Sequence, residues 1–153
     1  MKKLLVSALL LTVLAALGTG CRNTSRLIST GLRVEVVSLD RAADGSVSAA
    51  WRVANPNVVA YLISETSHKI YLDGILVGTI HDTEPLGVPA SANADRTTPL
   101  KGGAAAGARA LTEAIARGSA GYRVDSQITI RVYDEMLEKA VLTNSGTVAV
   151  TTK

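Results

Sequence analysis

From position 31 onward, apolar and polar residues alternate with the two-residue period of half-buried strands. Leu32, Val34 and Val36 share one side of a first strand, with Arg33 and Glu35 opposite, and Asp44-Gly45 supplies the following turn. Val47, Ala49, Trp51 and Val53 then share a face, with Ser48, Ala50 and Arg52 on the other. Asn55-Pro56-Asn57 stops that strand, because proline cannot donate to a ladder and asparagine favours turns. Ile70 and Leu72 lead into Asp73-Gly74 and out through Ile75-Leu76-Val77. Two residues between strands predict a type I′ hairpin, which needs positive φ at both. Residues 81–95 contain Pro85, Gly87 and Pro89 and predict a long connection, and residues 96–100 a short strand placed at an edge by Pro99.

The period changes once. Ala104 to Arg117 is rich in Ala, Leu, Glu and Arg, with Leu111 and Ile115 four apart and Gly118 placed as a stop, which predicts one helix. Tyr122 to Tyr133 alternates again, with Val124, Ile128, Ile130 and Val132 on one side and the phase open around Asp125-Ser126. Asn144-Ser145-Gly146 reads as a turn into a last strand, Thr147 to Thr151. About seven short strands separated by turn residues predict an all-β fold, a β-sandwich with one short helix in a connection.

Ahead of this pattern the chain is different. Met1-Lys2-Lys3, an apolar run from Leu4 to Leu17 and then Gly18-Thr19-Gly20-Cys21 follow the order of a secretory signal. The run is shorter than the ~20 apolar residues that cross a hydrocarbon layer. Its exit resembles the lipobox of bacterial lipoproteins, in which small residues precede a cysteine, although Gly18 stands where an aliphatic residue is usual. The resemblance implies that residues 1–20 are a lipoprotein signal peptide, that Cys21 becomes the acylated N-terminus, and that residues 21–30 tether a domain spanning 31–153. Arg22 after the cysteine implies, by the enteric sorting rule, residence at the outer membrane on its periplasmic side. A single acyl chain anchors marginally, at ~0.8 kcal/mol per buried methylene, so stable residence requires the several chains of that pathway. The bland alternative is ordinary secretion with a stray thiol. One cysteine cannot form a disulfide within the chain, and a free thiol in an oxidising compartment is a liability, which favours acylation.

Composition narrows the partners. The 153 residues include 16 Lys+Arg and 13 Asp+Glu, but Lys2 and Lys3 belong to the leader, so the remainder is nearly balanced. With aromatic residues at 3%, the chain lacks both the charge footprint and the stacking platforms of a nucleic-acid binder. One cysteine and two histidines leave little for a metal site, and no cofactor is expected.

Reactive constellations are equally sparse. His68 shares parity with Ile70 and Leu72 and is expected on a strand near the sandwich rim; His81 is expected in a loop. Neither sits in a nucleophile motif. Gly102 and Gly107 match the glycine spacing of a phosphate-binding loop, but Ala108-Arg109 stand where it needs Lys and Ser or Thr. Asp134, Glu135 and Glu138, beside Lys139, read as a solvated hairpin tip rather than a calcium loop. Trp51, among Val47, Ala49 and Val53, is expected in the core. These residues argue against an enzyme.

A resemblance supplies what the chemistry does not. Trp51-Arg-Val-Ala-Asn55-Pro56-Asn57, then Ile70-Tyr-Leu-Asp73-Gly74-Ile-Leu-Val-Gly78, then Tyr122-Arg-Val and Ser145-Gly146-Thr-Val-Ala-Val occur in that order. The series resembles the WHy (water stress and hypersensitive response) domain of late embryogenesis abundant type 2 proteins, over roughly residues 30–152. Asp125 departs from it, where the family often has glycine. The resemblance implies an immunoglobulin/fibronectin-III-like β-sandwich and a non-enzymatic role against desiccation and water stress. Asn55, Pro56, Asn57, Asp73, Gly74 and Gly78 carry over as structural motif residues only. The expected partners are the membrane, through the N-terminal lipid, and envelope protein clients, with no nucleic acid. The other reading is a structural or adaptor β-sandwich that docks an envelope protein through a sheet face or edge.

Overall fold

A computed structural model describes residues 30–132 and 136–153. Residues 1–29, where a signal peptide, the acylated Cys21 and most of a tether are expected, lie outside the described residues, as do Asp134 and Glu135 of the expected acidic tip. None of the helices described is long and apolar enough to cross a membrane.

The chain folds as β1 (Arg33–Arg41), β2 (Val47–Asn55), β3 (Tyr61–Leu72), β4 (Ile75–Asp82), β5 (Leu86–Val88), β6 (Ala92–Pro99), β7 (Lys101–Gly102), α1 (Ala105–Arg117), β8 (Ser119–Val132) and β9 (Met136–Thr152). The nine strands form one sheet in the order β6-β2-β1-β9-β8-β3-β4-β7, with β5 beside the start of β3. This corrects the expected seven-strand sandwich. Ser38–Arg41 of β1 pair in parallel with Ala149–Thr152 of β9, and that ladder joins two antiparallel halves which a sandwich would leave as separate layers. The mixed sheet curls instead into a half-barrel. Register shifts at Val36/Ser38 in β1 and at Ile63/Glu65 and Ile70/Tyr71 in β3 mark bulges, and bulges bend strands as curling requires.

The alternation places one side chain of each pair inside. Val34, Trp51, Val53, Ile63, Ile70, Leu72, Ile80, Ile128 and Ile130 are almost fully buried and form the core. In β8 the phase runs unbroken, with Val124, Ser126, Ile128 and Ile130 all facing inward. Helix α1 buries Ala110, Leu111 and Ala114, whereas Ile115, expected on the packed face, is only half-buried. Gly118 stops the helix with φ 76°, and its N–H donates to Ile115 O.

Two more expectations fail. Residues 81–95 are not one long connection: β4 runs to Asp82, and β5 and the start of β6 lie within the segment. Asn144-Ser145-Gly146 makes no turn; β9 passes straight through, opposite Val124, Arg123 and Tyr122 of β8. Asn144 Oδ1 instead accepts a bond from the Val34 N–H at 3.2 Å. A Cβ on Gly146 would stand 3.0 Å from the Tyr122 ring, so the glycine accommodates an aromatic neighbour.

Candidate functional site

Three clusters hold most of the residues singled out by the sequence that fall within the described residues. The first is the corner after β2. Asn55 is 2% exposed. Its Nδ2 donates to Val59 O at 2.8 Å and Pro89 O at 2.9 Å, while its Oδ1 accepts the Asn57 N–H at 3.0 Å. Pro56 ends the ladder one residue later and packs against Gly31, where the chain joins β1. The side chain thus replaces the backbone partners lost as the strand turns. Asn55, Pro56 and Asn57 shape the backbone and present no reactive group.

The second cluster is the β3–β4 hairpin. Asp73 has φ 46° and Gly74 φ 85°, the positive pair that a two-residue I′ turn demands. The Asp73 carboxylate accepts bonds from Arg117 Nη2 and from the Gly121 N–H, and its own N–H donates to Gly121 O. The turn is therefore fastened to the end of α1, a link between positions 44 and 48 apart that no local pattern announces. Gly78, further along β4, faces Leu100: a Cβ there would meet Leu100 Cγ and Lys101 O at 2.6 Å. Close approach of β7, rather than a special dihedral, requires glycine at that position.

The third cluster was not expected. His68 lies at the centre of the core, 1% exposed, not at a rim. Its ring meets Trp51 with centroids 4.7 Å apart at 59°, and Trp51 Nε1 donates to Thr98 Oγ1 at 3.0 Å. His68 Nδ1 is 2.8 Å from Ser126 Oγ, its direct cross-strand neighbour in β8. Nε2 is buried without a protein hydrogen-bond partner, as is Thr66 Oγ1 two residues earlier in β3. Burial pushes the ring down to about 4, against a weaker upward pull from the Asp82 carboxylate, so at neutral pH it is uncharged. The signal available in the sequence was the shared parity of His68, Ser126 and their apolar neighbours, which places both inside once β8 is read in a single phase.

Beyond His68 one arginine ties the two sides of the open sheet together. Arg96 of β6 donates to Asp82 Oδ2 at 2.9 Å, Glu84 O at 2.7 Å and Pro85 O at 2.9 Å, bridging the free edge of β6 to the end of β4. Burial opposes ionisation of Asp82, but bonds from Arg96 and the Glu84 N–H outweigh it and hold the carboxyl below its ordinary range. Arg96 thus satisfies carbonyls that the incomplete barrel leaves without strand partners.

The chemical capacity of these clusters is limited. His68 and Ser126 have the separation of a base and a nucleophile, but both are 1% exposed and closed off from solvent. His81 lies in β4 rather than in a loop; it is exposed, with Nε2 3.9 Å from Glu65 Oε1. Glu138, expected at a solvated tip, is 9% exposed on the inner side of β9. Among the described residues no three His, Cys, Asp or Glu side chains gather as a metal site.

Comparison with known proteins gives a fold and little more. No family model matches this chain, and no curated protein does. A solution structure from Arabidopsis thaliana is similar, with a TM-score of 0.55 and 15% identity over 79% of this chain and 80% of its own. A candidate late embryogenesis abundant protein, also solved in solution, aligns with a TM-score of 0.48 and 13% identity over 98% of this chain and 88% of its own. A crystal structure from Archaeoglobus fulgidus aligns at a TM-score of 0.41 and 18% identity over 78% and 94% of the two chains. The Arabidopsis structure shows that the fold is a shared one.

Proposed function

We propose that this chain is a non-enzymatic, lipid-anchored protein of the bacterial envelope that protects against desiccation and water stress. The observation that carries the reading is the use made of the family-like residues. Asn55, Pro56, Asn57, Asp73, Gly74 and Gly78 each fix a backbone feature, in the order in which the WHy domain presents them. The sealing of His68 and Ser126 away from solvent supports a role without catalysis. The leader ending at Cys21 supports export and acylation, with residence at the periplasmic side of the outer membrane.

The test is drying. Lactate dehydrogenase dried with the full-length protein should retain more activity than with an equal mass of an inert globular protein. His81→Ala should protect as well as the wild type. Trp51→Ala, expected to cost ~3–5 kcal/mol, should lose protection together with the fold. Protection no better than the inert control would overturn the reading. The second reading, an adaptor that docks an envelope protein, is favoured by β6, which pairs with β2 alone and leaves its other edge without a ladder. Capture of one specific envelope partner, lost when Thr97→Pro alters that edge, would favour it.

A further inference from the structure

The exposed aliphatic side chains are unevenly distributed. Val37, Val58, Leu62, Ile75, Leu76, Leu137 and Val141 are the large hydrophobic residues exposed among those described. Leu62 and Leu137 lie where β3 and β9 begin, Val58 just ahead of β3 and Val141 four residues further along β9, and Val58, Leu137 and Val141 are 87%, 62% and 75% exposed. The register shows how they combine. Leu62 stands opposite Arg131, which stands opposite Leu137, so the three form one row across β3, β8 and β9 on the outer face. The next rows are Glu65, Thr129 and Lys139, then Ser67, Gln127 and Val141. A shallow groove of about 230 Å³ runs between them, lined by Glu65, Thr129, Lys139 and Val141 among others. Scattered apolar residues are ordinary; here three share one sheet face, interleaved with the cations Arg131 and Lys139 and with one carboxylate, Glu65.

The end where β3 begins also receives the chain from its N-terminal side. Gly31 packs on Pro56, and Val58 belongs to the turn that follows. Residues 22–30 span about 30 Å even when fully extended. A lipid at Cys21 therefore holds this end within that distance of a bilayer, at high effective concentration.

We propose that the outer face of β3, β8 and β9 around Leu62, Leu137 and Val141 seats on the phospholipid surface, with Arg131 and Lys139 at the phosphate level. This rests on the lipid-anchored reading above. The seat is shallow. From Met136 to Thr143, β9 is paired by β8 alone, so its free edge needs water or headgroups and cannot enter the hydrocarbon layer. Short aliphatic tips beside cations suit the headgroup boundary, where apolar burial and attraction to anionic lipid add.

The test uses full-length protein, isolated with its lipid and reconstituted into phosphatidylethanolamine–phosphatidylglycerol vesicles. L137C and I75C are made separately and labelled with a thiol-reactive, environment-sensitive fluorophore. Ile75 is exposed at the far end of the sheet and serves as the reference. The emission at 137 should shift to the blue with a several-fold loss of quenching by aqueous iodide, relative to 75. Arg131→Glu together with Lys139→Glu in the L137C protein should restore quenching. Equal quenching at 137 and 75 in vesicle-bound protein overturns the proposal. So does protection that vanishes when protein is diluted to about one copy per vesicle, which assigns the face to a second copy of this chain. Labelling of the wild type would instead reveal a free Cys21 thiol and overturn the anchor on which the proposal stands, without bearing on the fold.

Discussion

Asn55 and His68 are sealed to the same degree, 2% and 1% exposed, and are held in opposite ways. Asn55 has three hydrogen bonds of 2.8–3.0 Å, each to a backbone group that would otherwise lack a strand partner. His68 has one, to Ser126, while its Nε2 and the nearby Thr66 Oγ1 have no protein partner. The first site stabilises the fold through polarity, and the second through shape, with polarity a cost that the packing offsets. Burial alone does not distinguish them. The partner count does.

The largest effect should follow from breaking the satisfied site. Asn55→Ala strands two carbonyls and an amide where β2 turns into β3. We expect it to lower stability by about 3 kcal/mol, at the level of a broken buried network. Asn55→Asp is the sharper variant. It keeps an acceptor for the Asn57 N–H but places a carboxylate against the carbonyls of Val59 and Pro89. A urea midpoint that falls for Ala and is restored by Asp would show that only the amide contact matters and that the two carbonyls are not held by Asn55.

Which of these sites could be read from the sequence depends on the range of the interaction. Asn55-Pro56-Asn57 was legible because its bond from the Asn57 N–H closes within two residues. Asp73-Gly74 was legible because its two positive φ values are a local demand, and Gly118 for the same reason. Trp51 followed from parity. The curl was not legible, because alternation says that a strand has an inner face but not which strands meet. The parallel β1–β9 ladder joins residues more than a hundred positions apart. Asn144 and Gly146 carried turn signals into the middle of a strand, since their reasons lie across the sheet in Val34 and Tyr122. Parity with Ile70 and Leu72 puts His68 on a strand but does not say how deep, and nothing local announces a stack on Trp51.

The next effect is pH-dependent and separates the two sites directly. The His68 ring has a folded value near 4 against an ordinary 6.5. At pH 7.5 and above the ring is essentially neutral in both states and contributes almost no pH dependence. As pH falls from 6.5 toward 4, the unfolded chain binds a proton that the native core refuses, so stability falls. Between pH 7.5 and 4.5 the loss should be roughly 2–3 kcal/mol, one pKa unit being about 1.4 kcal/mol. The carboxyls of Asp40 and Asp82, held below their ordinary values, lose their contribution only at lower pH. His68→Leu with Ser126→Ala should leave the midpoint at pH 7.5 within about 1 kcal/mol, because both partners of a buried hydrogen bond become apolar together. It should also flatten the slope above pH 4.5. An unchanged slope would assign the acid sensitivity to other groups.

The smallest effect should have the opposite sign from the first. Thr66 is 3% exposed, points inward from β3, and its hydroxyl has no hydrogen-bond partner in the protein. Valine has nearly the same shape and the same branching at Cβ, so Thr66→Val keeps the packing and the strand preference. What it removes is a buried hydroxyl without a protein partner, whose desolvation costs about 1–3 kcal/mol on mutational scales. Part of that cost is recovered in any native structure by small shifts of neighbouring atoms. We therefore expect Thr66→Val to raise the unfolding free energy by about 1 kcal/mol in urea titrations at pH 7.5, with an unchanged slope. The same exchange at Asn55, to leucine of similar size, should destabilise strongly. Opposite signs at two equally buried positions would establish the distinction on which the comparison rests. Destabilisation by Thr66→Val would instead show that the hydroxyl has a partner, an internal water shared with His68 Nε2 being the simplest, and would place both sites in the satisfied class.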